Sequence, residues 1–411
     1  MSETGKYRIL KTSRFLIGVA TFMMLSLVSM SVLAGQTGIL NGLDKSTCSS
    51  DDIRTKSLRD LVKGFTERDE VPGAALLIAQ HGQVVFREAY GWADVKAQKP
   101  FTVDTMVLLA SATKPLSASS VMALVDQGKI SLDDKVSKYL PAFNKLRIGK
   151  TGAYAPSPTI RHLLSHTSGL FGLVGATKAG MRAVRDLKNL NLTESVEIIS
   201  KEELVAQPSE RFNYGGANYQ VAARVVEVTT GQSFDLFLQE SLLNPLNMNE
   251  TYFRPRPKDD IGRVATVYKF VSEKGLIPIR AYGPDPDRKL ILASGGLYSS
   301  LNDLAAFLQM HLNEGAYGLS RILTPLAVAD MQKKQTGTDK AEYGLGWYRD
   351  RTTKDGRALS INHPGLFGAL VWIDKDRDLV GVFFTSVLWP GRKALYKELK
   401  ERVLELFPSG S

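Results

Sequence analysis

Apolar residues recur along this chain in two rhythms, and the change from one to the other marks out its elements. Ser57 to Arg68 carries Leu58, Leu61, Val62 and Phe65 three or four positions apart, which predicts one face of a helix. Ala74 to Ala79 and Val84 to Tyr90 are apolar runs of strand type, and Gln80-His81-Gly82-Gln83 between them predicts a hairpin. A helical pattern runs from Ser111 to Asp126 and ends near Gly128, and a short one begins at Ile160 and ends at Leu164. From roughly 129 to 310 most segments read as helix or loop. Strand signals return late, at Leu345 to Arg349, Ala358 to Asn362, Leu366 to Ile373 and Leu379 to Thr385, the last two joined by the charged turn Asp374 to Asp378. Lys393 to Phe407 closes the pattern with Leu395, Leu399, Val403, Leu404 and Phe407 on one helical face. Strands and a helix at both ends around a helical middle predict an α+β fold. In it, one antiparallel sheet is built from the two ends of a domain spanning 53–407, flanked by helices, with a helical subdomain inserted at roughly 129–310.

The first 34 residues follow a different logic. Lys6, Arg8, Lys11 and Arg14 precede the almost wholly apolar stretch Phe15 to Leu33, and Val32-Leu33-Ala34 presents small and branched residues before Gly35. This is the order of a secretory signal; uncleaved, the same stretch would serve as an N-terminal membrane anchor. Residues 35–52 are polar and rich in Gly and Ser, as a linker is. The expected location is periplasmic or secreted, or anchored at the inner membrane.

Composition narrows the function. Of 411 residues, 44% are hydrophobic and 23% charged, ordinary values for a globular protein, which exclude a disordered or collagen-like chain. The single cysteine, Cys48, can close no intrachain disulfide and supports no cysteine-ligated metal centre. The formal charge of +10 is thinly spread, without the Lys/Arg run interleaved with aromatics that nucleic-acid binding requires. His162 and His166 stand four apart, but Leu163-Leu164-Ser165 between them lacks the glutamate of a zinc-hydrolase helix, so no metal site is expected. There is no P-loop, dinucleotide fingerprint or G-x-S-x-G elbow either, and no cofactor is expected.

What remains is Ser111-Ala112-Thr113-Lys114. If Ser111 opens the helix, residues three apart share a face, and the Lys114 amine lies beside the Ser111 hydroxyl. A buried lysine loses its charge to desolvation and can then take the serine proton. The helix start would present backbone N–H groups to an oxyanion.

The surroundings of this motif carry a resemblance. Val71-Pro72-Gly73, Ala110 to Pro115, Gly128 to Asp134, Ile160 to Leu170, Phe212 to Tyr219, Ser294 to Ser299, Tyr343 to Trp347 and His363 to Gly368 resemble, in order, the motifs of the β-lactamase-related serine hydrolases. That group comprises the class C β-lactamases, the D-alanyl-D-alanine peptidases and the family VIII carboxylesterases. The resemblance spans nearly all of 71–385 and implies a β-lactamase/transpeptidase-like fold.

It also implies roles. Ser111 would be the acylated nucleophile, Lys114 its base and Tyr214 the tyrosine that relays the proton to the leaving group. Gly216 stands where the family often has Asn, removing an amide that usually bonds the acyl group; Asn218 is a nearby substitute. His363-Pro364-Gly365 occupies the place of a K-T-G strand, where Gly365 would let substrate lie against the strand edge and the Leu366 N–H would join that of Ser111 as oxyanion donor. A histidine is mostly neutral at pH 7 and would hold a substrate carboxylate less tightly than lysine does. The expected activity is therefore cleavage of a small-molecule ester or amide through an acyl-serine. The alternatives are a D,D-peptidase or weak β-lactamase, and a non-catalytic cell-wall-binding relative. His162 to Leu170 is expected to act as scaffold beneath the site, and Lys145 to Pro158 and Phe171 to Asn191 to shape its pocket.

Overall fold

The structure is a computed structural model that describes residues 52–409, apart from 69, 255–260, 280–282, 284 and 286. The expected signal segment, and the linker up to residue 51, lie outside the described residues. Among the described residues, no helix is long and apolar enough to cross a membrane.

The first described helix, α1 (Ile53–Thr66), is capped by Asp52, whose carboxylate accepts the Arg54 N–H. It leads into β1 (Gly73–Gln80) and β2 (Gln83–Asp94), joined at His81 and Gly82, both with positive φ, as a two-residue hairpin turn requires. After the short β3 (Lys99–Pro100), the sheet is completed by β4 (Tyr348–Thr352), β5 (Ala358–Pro364), β6 (Leu370–Asp374) and β7 (Leu379–Thr385). The order is β4-β5-β6-β7-β1-β2-β3, antiparallel throughout. The seam between chain ends is the β1–β7 ladder, which runs in unbroken register from Ala74 opposite Thr385 to Gln80 opposite Leu379.

Every residue of β1, β6 and β7 is buried, because helices cover both faces of the sheet. On one face α1 and the last helix, which we number α5 (Arg392–Leu406), interdigitate Leu58, Val62, Phe65, Leu395, Leu399 and Val403 with Leu76, Ile78, Leu370 and Phe383. On the other, α4 (Leu301–Leu312) packs across β7 and β1. Two earlier helices carry the site: α2 (Thr113–Asp126), nearly all of it buried, and α3 (Gly216–Thr230).

The α+β architecture is as the sequence predicts, with local differences. The inserted region is less purely helical than expected, holding the small hairpins Leu146–Arg147 with Tyr154–Ala155 and Tyr268–Val271 with Gly275–Pro278. Leu366 to Ala369 is not strand: Gly368 has φ +111°, and the Gly365 N–H bonds Ala369 O at 2.6 Å, closing a loop. The strand expected at Leu345 begins at Tyr348, because Gly346 turns the chain at φ +86°.

Candidate active site

Ser111 stands in a single 3₁₀ turn, Ala110–Ala112, that runs directly into α2. Ala110 before it holds φ +46°, a left-handed conformation costly for alanine, and both Ala110 and Ser111 line the cavity. One turn on, Lys114 is only 2% exposed. Its Nζ donates to Ser111 Oγ at 3.2 Å and to Ser294 O at 2.8 Å. No carboxylate forms an ion pair with it among the described residues, and burial pushes its pKa down from 10.5 to about 7.

Tyr214 arrives from the inserted subdomain. Its carbonyl accepts the Leu173 N–H at 2.9 Å, and it passes so close to Gly172 that a Cβ there would fall 2.3 Å from Tyr214 O. Its phenol interacts with Ser111, and its ring lies under Lys114 Nζ, 4.6 Å from the centroid. The half-buried phenol is held well above its ordinary pKa, chiefly by desolvation, then by Tyr348, with the Ser111 bond opposing. Ser111 and Lys114, from one turn, and Tyr214, from a stretch a hundred residues later, therefore converge on one point.

Beneath them lies an aromatic layer. The His166 ring is 4.5 Å from that of Tyr214, and the Tyr348 ring stacks on Tyr214 at 6.1 Å. His166 has φ +59° and sits past the end of the helix Ile160–Leu164, so it does not share a helix face with His162. Its Nδ1 accepts the Gly215 N–H and the Asn218 amide, each at 3.3 Å, pinning the start of α3 directly behind Tyr214. Asn218 is thereby turned toward His166 and Ser168 rather than toward Lys114. Tyr348 was not singled out from the sequence. It reaches the site only across β4, and no local motif marks it.

Two residues of the H-P-G segment are placed differently from expectation. His363 is fully buried and does not line the cavity: Nδ1 bonds Pro364 O at 3.0 Å and Nε2 bonds the Tyr343 hydroxyl at 3.1 Å. Since a carbonyl only accepts, Nδ1 carries the proton and Nε2 accepts from tyrosine, which assigns a neutral imidazole. Burial, reinforced by Lys114, keeps its pKa well below the ordinary value. Gly365 makes room for the protein's own backbone, since a Cβ there would lie 2.2 Å from Leu109 O. The end of β5 thus rests on the turn that holds Ser111, and Leu366 beside it lines the same cavity as Ser111. The Leu366 carbonyl is fixed by Arg392. Neither the Ser111 nor the Leu366 N–H is taken by a protein acceptor among the described residues.

The cavity measures about 280 Å³. Its walls are mainly apolar: Leu108, Phe171, Met181, Val184, Leu187, Leu292, Leu366 and Phe367 line it, and Gly216 faces Ser294 across its floor. The stretch 171–191 supplies one wall, as anticipated. The stretch 145–158 supplies none; it lies elsewhere in its small hairpin.

A seven-stranded antiparallel sheet assembled from both ends of a domain, a mainly helical insertion, and a Ser/Lys/Tyr cluster where the two meet define the class of β-lactamase and penicillin-binding-protein folds. Comparison with known proteins agrees. Residues 58–402 match the model of the Beta-lactamase family, and the chain belongs to that family of serine hydrolases. It is 36% identical to esterase EstB of Burkholderia gladioli over 388 residues, covering 85% of this chain and 95% of that one. It is 29% identical to a putative D-alanyl-D-alanine carboxypeptidase of Escherichia coli strain K12, covering 80% of each. Among solved structures it resembles EstCE1, a hydrolase with promiscuous acyltransferase activity, with a TM-score of 0.75 at 23% identity over 85% of this chain and 98% of that one.

Proposed function

We propose that the protein is an exported esterase that works through an acyl-Ser111 intermediate. The observation that carries this is the buried Lys114 amine, 3.2 Å from Ser111 Oγ and with a pKa near 7. Ser294 O holds one N–H of that amine, so its lone pair can face the serine. Lys114 takes the Ser111 proton as Oγ bonds the ester carbonyl carbon, and the N–H groups of Ser111 and Leu366 hold the oxyanion. When the ester C–O bond breaks, the alcohol leaves with a proton delivered through Tyr214. Water then adds to the acyl carbon, gives a proton back along the same path, and frees the acid and the serine.

The neutral, inward-facing His363 favours an ester over a substrate whose carboxylate must be gripped at this strand. Similarity to a carboxypeptidase supports the second reading, a D,D-peptidase. Export rests on the basic and apolar pattern of the first 34 residues. The test is an intact-mass time course with a short-chain p-nitrophenyl ester and, separately, a penicillin, with Ser111→Ala as control. Ester turnover abolished in Ser111→Ala is the expected result. A long-lived penicilloyl adduct without ester turnover would select the peptidase, and ester turnover that survives in Ser111→Ala would overturn both.

A further inference from the structure

One wall of the cavity carries charge that catalysis does not use. Arg288 is 6% exposed and lines the cavity, and Arg185 lines it from the neighbouring segment. The two segments are joined, since Leu187 O accepts the N–H groups of both Lys289 and Leu290. Neither guanidinium forms an ion pair with a carboxylate among the described residues. Arg288 donates to Gly283 O at 2.7 Å and lies 5.7 Å from the centre of the Tyr298 ring, which orients it without neutralising it. The acid nearest in sequence, Asp285, is already engaged by Lys188 at 2.9 Å and by the Asp287 N–H at 3.0 Å. Asp285 therefore offers Arg288 attraction at longer range but no ion pair. A cation removed from water pays a large desolvation cost unless a counter-charge meets it, and an anionic group on a ligand in the cavity would supply the direct partner that Arg288 lacks.

We propose that Arg288, assisted by Arg185, is an anion-recognition subsite, and that the preferred substrate is an ester carrying a carboxylate at the end remote from the scissile bond. A planar, forked guanidinium suits that group, and it is supplied here from the wall of residues 185–187 and 288–292 rather than from the β5 strand. The substrate class rests on the esterase reading above; the binding of the anion does not.

Two measurements separate them. The first compares kcat/KM for mono-p-nitrophenyl adipate with that for p-nitrophenyl hexanoate, equal in chain length and differing in the terminal carboxylate. Arg288→Met should lower the ratio of the two by about 10-fold or more, and Arg185→Met by a smaller factor that shrinks as salt is raised. The second titrates adipate, and hexanediol as its neutral counterpart, into Ser111→Ala by calorimetry. Adipate should bind more tightly than the diol, and lose that advantage when Arg288→Met or Arg185→Met is added. Equal binding of diacid and diol, or a selectivity ratio unmoved in both arginine variants, would overturn the subsite. Failure of the wild-type protein to cleave either ester would overturn the esterase reading alone, because the calorimetry still decides the subsite. Should Arg288→Met fail to fold, Arg185→Met and Arg288→Lys carry the same comparison.

Discussion

Lys114 Nζ lies 4.6 Å from the centre of the Tyr214 ring, and the two groups, which in water would titrate close together, are driven apart: burial lowers the lysine to about 7 and raises the tyrosine. Above neutral pH the stable pair is therefore amine and phenol, not ammonium and phenolate. That ordering gives each a task. The amine can accept the serine proton, and the phenol has a proton to give to the departing alcohol.

It follows that kcat/KM for a neutral ester should rise with pH along a single limb centred near pH 7 and level off above it, since the free enzyme is active with Lys114 unprotonated. A steady-state profile between pH 5 and 9 checks this. A rate still climbing in proportion to hydroxide at pH 9, with no levelling, would mean that tyrosinate, not lysine, is the base.

The same lysine should leave a mark on stability. Its folded pKa is depressed, so between about pH 7 and 10 the unfolded chain binds a proton that the folded chain does not, and folding is favoured more as pH rises, by at most about 1.4 kcal/mol per pH unit. Urea denaturation of the wild-type protein and Lys114→Met across this window should show a difference that grows with pH in favour of the wild type. A difference independent of pH would mean that the lysine is charged in the folded protein.

Tyr214→Phe keeps the ring beneath Lys114 and the stack on Tyr348 while removing the hydroxyl that interacts with Ser111. A loss of about 10²-fold or more in kcat, with an unchanged melting temperature, is expected for an acid–base group. A loss of only a few-fold would leave Tyr214 a packing residue.

Gly365→Ala tests the contact between the β5 end and the nucleophile turn. The added methyl would fall 2.2 Å from Leu109 O, so strand and turn must part. A stability cost of about 1–3 kcal/mol is expected together with at least a 10-fold fall in kcat, measured by urea denaturation and ester turnover. Wild-type activity would show that the two segments move freely past one another.

How much of this the sequence disclosed depends on how local each signal was. The strands β1 and β7 were legible because burial on both faces writes them as unbroken apolar runs, and the α1 and α5 faces because their contacts repeat at helical spacing. Leu366 to Ala369 is equally apolar yet forms a loop: hydrophobicity records burial, whereas the turn is set by Gly368 and one backbone hydrogen bond. Ser111 and Lys114 are neighbours on one turn and could be paired by spacing. The inward turn of His363 could not be foreseen, because its partner Tyr343 is fixed by tertiary packing. Nor could the role of Arg288 in the cavity wall, since an arginine in a loop reads as solvated until its burial is seen.

The β1–β7 seam also bears on how the protein is made. Ser111 belongs to the portion synthesised early, whereas Leu366 and the strands that close the sheet come roughly 250 residues later, on the order of ten seconds or more of translation at about 5–20 residues per second. Until the late strands are in place, the turn that holds Ser111 lacks the close approach of Gly365 to Leu109, and the cavity lacks the wall that Leu366 and Phe367 supply. On the function proposed above, assembly of the sheet would complete the site. A chain cut short before these strands would keep Ser111 without those surroundings, which depend on contacts distant in sequence, the slowest kind to form.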